Sequence, residues 1–232
     1  MRVLIGVPVF RLPDSVRRCL ESLINTPADI LAVDNAADVD VKEMLRTFGD
    51  RIKIEVSPTN EFCNGGWNRV MKYGLEHNYD VIGLGSSDAM LHPGWYHAVC
   101  GRFREYADEI LVPSVREPFA NPDYHKVTYI TGGLAGYYMF MTAAAVAKVY
   151  PIPAQFKHWY GDQHIFDTLR YHGWKVAVLD EVGAYHEQGS VTFRTPEAYE
   201  AIRQDTAAWS NTNDSEKSLD NRHYRPGRII PS

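Results

Sequence analysis

Apolar and polar positions alternate along this chain in two rhythms that trade places every ten to fifteen residues. Residues 2–7 (RVLIGV) are a short, β-branched apolar run, and Pro8 closes it because proline fixes φ and removes a backbone donor. From Pro13 and Asp14 the period lengthens: Val16, Cys19, Leu20 and Leu23 fall on one helical face. Residues 30–33 predict a second strand that ends on Asp34-Asn35, and Val41, Met44, Leu45 and Phe48 a second helix. Residues 52–56 make a third strand, and Trp67, Val70, Met71 and Leu75 mark the inward face of a third helix. The central segment is DVIGLGSSDAML, residues 80–91, in which Val81, Ile82 and Leu84 run without polar interruption into Ser86-Ser87-Asp88. A buried parallel strand reads this way, apolar on both faces and abruptly polar at its end. Trp95, Val99, Phe103 and Tyr106 then predict a helix, and residues 110–115 a strand.

Five strands separated by four helices imply one α/β domain, with a mainly parallel, doubly wound central sheet flanked by helices. Beyond Val115 the rhythm changes. Residues 116–126 read as a polar loop, 137–141 as a bulky strand after the Gly132-Gly133 pair, and 162–171 as a helix. Residues 175–179 and 182–186 read as two extended segments, and 196–209 as a last helix. The expected organisation is a domain over residues 1–209, with a nucleotide-binding half (1–115) and an acceptor half (116–209). A polar tail follows over 210–232, in which Arg222, His223, Arg225 and Arg228 are candidates for covering an anionic ligand.

Composition narrows the function without naming it. The chain has 232 residues, 45% hydrophobic and 23% charged, as expected of a globular enzyme. Its net charge of −5 argues against indiscriminate nucleic-acid binding. No apolar run reaches the roughly 18 residues of a membrane span, and the N-terminal residues do not read as a signal peptide. Cys19, Cys63 and Cys100 are odd in number and widely spaced, the pattern of reduced thiols in a cytoplasmic protein.

In open α/β sheets, ligands bind beyond the carboxyl ends of the strands. Pro8-Val9, Asp34 and Ser87-Asp88 end three strands and therefore share one rim. Asn60, Gly65, Gly66 and Asn68 lie where a loop runs into a helix, a place suited to phosphate. The segment contains neither GxGxxG nor the GKS or GKT ending of a P-loop, so a nucleotide would be held in another way. Gly66 also suits close helix–sheet packing, Asp34 a local turn, and Asp162 a helix cap.

Four blocks, in this order and spacing, resemble the inverting family 2 glycosyltransferases of GT-A fold. They are Val7-Pro8-Val9; Val33-Asp34-Asn35; NEFCNGGWN from Asn60 to Asn68; and Tyr160-Gly161-Asp162-Gln163 followed by Asp167, Arg170, Gly173-Trp174 and Ala184-Tyr185-His186. The third block is similar to that of the rhamnosyltransferase-like branch. The resemblance implies a GT-A-like domain that moves a sugar from a nucleoside-diphosphate sugar to a hydroxyl acceptor with inversion. Pro8, Val9, Asp34, Asn60, Gly66, Asn68, Ser87 and Asp88 would hold the donor. Asp88 and His186 would hold Mn²⁺ or Mg²⁺, and Asp162 would be the general base. His158, Trp159 and Tyr160 would form an acceptor platform for a glycan, a small molecule, a protein or a modified nucleic-acid base. The chain departs from the family in having one acid, Asp88, at the metal strand, and Gly161-Asp162 in place of an acidic pair. A nucleotidyltransferase and a non-catalytic nucleotide-sugar-binding module are the alternatives.

Overall fold

The computed structural model of the chain describes residues 1–115, 127–187 and 195–216, with side chains to residue 210. The loop expected over 116–126 and the four basic tail residues lie outside the described residues. Nine strands form one sheet in the order β3-β2-β1-β4-β8-β6-β9-β5, with β7 (Val127–Ile130) added against β9.

The nucleotide half follows the predicted rhythm. β1 (Val3–Val9), α1 (Pro13–Leu23), β2 (Asp29–Asn35), α2 (Val39–Arg46), β3 (Lys53–Ser57), α3 (Phe62–Glu76) and β4 (Val81–Gly85) succeed one another. β1 pairs in parallel with both β2 and β4, and β2 with β3, so their carboxyl ends form one rim. The pleat of β1 divides its side chains between two cores. Val3, Ile5, Val7 and Val9 pack with α1 and α2, while Leu4 packs with Leu31, Val70 and Met71 on the α3 side. Each such fully buried aliphatic side chain contributes roughly 1.5–3 kcal/mol. α3 lies so close to β1 that a Cβ on Gly66 would stand 2.5 Å from the Pro8 ring.

The second half is less regular. β5 (Ala89–Leu91), α4 (Trp95–Glu105) and β6 (Glu109–Val115) are followed by β7 and then β8 (Tyr138–Thr142). β8 inserts between β4 and β6, antiparallel to both, so the sheet is mixed although most strands share one direction. α5 (Ala143–Val149) was not expected from the sequence; Thr142 caps it by accepting from the Ala145 N–H. α6 (Gly161–Tyr171) comes next.

The two segments expected over 175–179 and 182–186 are one strand, β9 (Lys175–His186). Its register with β6 jumps from Pro113–Leu179 to Ser114–Gly183, so three residues bulge and the strand bends. The far end of β9 then pairs antiparallel with β5, setting His186 opposite Ala89. α7 (Pro196–Glu216) extends past residue 209, where its end was expected. Among the described residues, no helix is long and apolar enough to cross a membrane.

Candidate active site

A cleft of about 360 Å³ opens on the rim formed by β1, β2 and β4. Pro8, Phe10, Arg11, Asn35, Asn60 and Phe62 line it together with Ser86-Ser87-Asp88, Cys63 and His158. Two amides fix the loop before α3. Asn35 Oδ1 accepts from the Glu61 N–H, and its Nδ2 donates to Phe62 O and Asn60 Oδ1. Asn60 Oδ1 also accepts from the Phe62 N–H, which orients the Asn60 amide.

Asp88 sits in the tight turn between β4 and β5. Ser86 Oγ donates to its Oδ1, and the Asp88 carbonyl accepts from the Glu187 N–H at 2.9 Å. The β5–β9 pairing therefore brings His186 to Asp88, with Nε2 3.4 Å from Oδ1. The imidazole stacks on Tyr137 at 3.7 Å, and its Nδ1 is buried without a partner among the described residues. Glu187, the next residue, is braced against α1 by Ser15 Oγ at 2.8 Å and by two nitrogens of Arg18 at 2.9 and 2.6 Å. Among the described residues no group of three or more His, Cys, Asp or Glu side chains could hold a metal. One carboxylate and one imidazole at this distance suit a cation whose remaining ligands come from elsewhere, such as diphosphate oxygens.

Asp162 lies in the first turn of α6. Its Oδ2 accepts from the Gly136 N–H at 3.0 Å and its Oδ1 from the Gln163 N–H at 2.8 Å. Its own N–H also donates to the carboxylate, and two oxygens with about four lone pairs keep room for one more proton. Burial raises the Asp162 carboxyl above the ordinary carboxylate range, and these backbone donors only partly oppose it. The Cys63 thiol is raised first by burial and then by the charges of Asp162 and Asp88. The Tyr137 phenol is raised by the same burial and the same two charges. The charges of both carboxylates thus act on Cys63 and Tyr137.

Other sequence-predicted residues have different surroundings. Val9 points to the face opposite Pro8 and is fully buried in the α1 core. Asp34 is buried, and its Oδ1 accepts from the Ala37 N–H at 2.8 Å in an Asx turn. Asn68 faces residue 152, with its Nδ2 donating to Ile152 O and its Oδ1 accepting from the Ile152 N–H. Gly66 provides the close approach to Pro8. Val9, Asp34, Gly66 and Asn68 do not line the cleft, and neither do Trp159, Tyr160, Asp162 and His186.

His158 lines the cleft, and burial lowers its imidazole below the ordinary value against the pull of Asp205 and Asp88. Trp159 is 38% exposed, whereas Tyr160 is buried and stacked on Trp209. The sequence reading missed Phe10, Arg11, Asn35, Phe62 and Cys63, each within three positions of a residue it chose. It also missed the start of α7, where Thr195, Glu197 and Ala198 reach the cleft.

Comparison with known proteins bears on the family and the fold. The sequence model described as glycosyl transferase family 2 matches residues 4–167. No curated protein matches the sequence. Among solved structures, residues 1–349 of S. aureus TarS superpose with a TM-score of 0.65 at 13% identity, covering 89% of this chain and 65% of that one. The same protein in complex with UDP-GlcNAc gives 0.64 at 14% identity, covering 89% and 66%. GalNAc-T7 with UDP, GalNAc and Mn²⁺ gives 0.62 at 9% identity, covering 92% and 50%. These identities establish a shared fold, and the chain spans about 65% of the length of the first of these structures. The family match covers well over half of the sequence, and the chain belongs to glycosyl transferase family 2.

Proposed function

We propose that this chain transfers a sugar from a nucleoside-diphosphate donor to a hydroxyl acceptor, with inversion. The observation that carries the reading is the cleft itself. It lies on the strand-end rim and is lined by Asp88, which stands beside His186, while the charge of Asp162 acts on the same Cys63 and Tyr137 as that of Asp88. The S. aureus TarS complexes with UDP and UDP-GlcNAc support a nucleotide-sugar donor. The loop from Asn60 to Asn68 supports the rhamnosyltransferase-like branch.

The residues divide the work. Pro8, Phe10 and Phe62 give the nucleoside apolar surface, and Asn60 offers an oriented amide. Asp88 and His186 would hold Mn²⁺ or Mg²⁺, and the bound cation would neutralise charge on the leaving diphosphate. Asp162 accepts the proton of the acceptor hydroxyl as that oxygen bonds to the anomeric carbon. The bond from that carbon to the donor phosphate breaks, and the electron pair leaves with the nucleoside diphosphate. A carboxyl with a raised pKa is a stronger base than an ordinary one, which suits this task. His158 and Trp159 offer the acceptor an aromatic surface, compatible with a glycan, a small molecule, a protein or a modified base.

The test is a panel of nucleotide sugars read by thermal shift with Mn²⁺ and by release of nucleoside diphosphate. A true donor at 100 times its dissociation constant should add about 2.7 kcal/mol of stability. A panel in which no member shifts the melting temperature or releases nucleotide overturns the reading.

A further inference from the structure

The family match ends at residue 167, yet α7 returns to the cleft from beyond it. Ala198, Ala201, Asp205 and Trp209 recur at helical spacing and form its inward face. One of the four is a carboxylate, and it is completely buried. Asp205 Oδ1 accepts from the Lys157 N–H at 2.9 Å, and Oδ2 from the His158 and Trp159 N–H groups, each at 2.7 Å. Three consecutive amides thus converge on one buried anion, and charge-assisted bonds of this kind are the strong ones.

The same segment is gripped from the opposite side by α3. Lys157 O accepts from the Asn64 N–H, and Phe156 O and Trp159 O accept from Asn64 Nδ2 at 3.1 and 3.0 Å. One helical turn after Asp205, Trp209 stacks on Tyr160 at 5.0 Å and 7°. Tyr160 holds a left-handed φ of 61° and leads directly into α6, which begins with Gly161-Asp162.

We propose that Asp205 is a positioning residue for the reaction: through residues 157–160 it sets the His158–Trp159 surface and the start of α6 that carries Asp162. The proposal rests on the glycosyltransferase reading above. It makes α7 part of the catalytic unit, although Asp205 itself touches neither substrate. An asparagine cannot replace it. Its single acceptor oxygen would leave at least one of the three N–H groups facing an NH₂.

The experiment uses the full chain with Asp205→Asn, and with Trp209→Leu as a milder variant that removes the ring contacts to Tyr160 and Phe156 and leaves the Asp205 carboxylate in place. Hydrogen exchange of amides 157–159, UDP affinity with Mn²⁺ and UDP release from UDP-GlcNAc are read on the same samples. Asp205→Asn should exchange these amides at least tenfold faster and release UDP at least tenfold more slowly, with UDP affinity within twofold of wild type. Trp209→Leu should show the same pattern at about threefold, and it decides the matter if Asp205→Asn does not fold. Unchanged exchange, release within twofold of wild type, or a parallel loss of UDP affinity and release overturns the proposal. A wild-type protein that releases no nucleotide from any donor fails the glycosyltransferase reading instead, and the exchange rates then judge the Asp205 contact alone.

Discussion

Two walls of the candidate site each carry an aspartate, Asp88 among the residues that line the cleft and Asp162 outside them, in different surroundings. Asp88 occupies a turn between two strands, receives a hydrogen bond from Ser86 and stands 3.4 Å from His186. Asp162 opens a helix, is held by two backbone N–H groups, and has its carboxyl raised by burial. The first wall collects polar partners around an anion, which suits charge stabilisation. The second withdraws water from a carboxylate, which suits proton transfer. Under the proposed function, this difference fits Asp162 as the base and Asp88 as a partner of the leaving group.

The largest effect should come from the second wall. General-base assistance is worth about 100- to 10,000-fold, so Asp162→Asn should lower turnover by that factor. Asparagine keeps one acceptor oxygen for Gly136 or Gln163 and caps a helix about as well as aspartate, so near-wild-type turnover would reduce Asp162 to a helix-start residue. In the wild type, Asp162 must be ionised to accept a proton. The rate should therefore fall with acidification at a pH above the usual carboxylate range, and Asp162→Asn should lose that limb.

On the first wall, His186→Ala should weaken Mn²⁺-dependent UDP binding by about tenfold or more, the loss that even outer partners of a metal cause. Calorimetry with an unchanged affinity would remove His186 from the site.

A smaller effect separates holding the donor from holding the fold. Asn68→Ala removes two hydrogen bonds to Ile152 and should cost about 1–3 kcal/mol in denaturant unfolding, with UDP affinity unchanged. Weaker UDP binding without loss of stability would return Asn68 to the donor side.

The smallest effect is on stability. Because the folded state raises the Asp162 pKa, the ionised carboxylate costs stability above that pKa and nothing below the unfolded value. The melting temperature of Asp162→Asn relative to wild type should therefore be higher at pH 7 than in acid. A relative melting temperature that falls from acid to pH 7 would mean that the ionised carboxylate stabilises the fold.

The walls also differ in how far the sequence revealed them. Pro8, Asn60 and Ser87-Asp88 follow from strand ends, because each β–α unit of the first half is local and parallel pairing aligns the ends. Asp34, Val9 and Asn68 share that rim in sequence, but pleat direction, an Asx turn and a contact with Ile152 send their side chains elsewhere. Period alone cannot see such contacts. The second half depends on pairings between distant residues. The meeting of His186 with Asp88 needs β9 to bend and cross to β5, and only the resemblance to a family suggested it. Asp205 did leave a signal: an acid among Ala198, Ala201 and Trp209 on an apolar helical face, where an acid is expected only if something satisfies it.

The division of labour between Asp88 and Asp162 is tested most directly by titrating UDP into wild type, Asp88→Asn and Asp162→Asn, each with Mn²⁺ and with chelator. The account predicts that chelator weakens binding to wild type and to Asp162→Asn alike, and that Asp88→Asn binds UDP with one low affinity in both conditions. Metal-dependent binding that survives in Asp88→Asn, or is lost in Asp162→Asn, would contradict it.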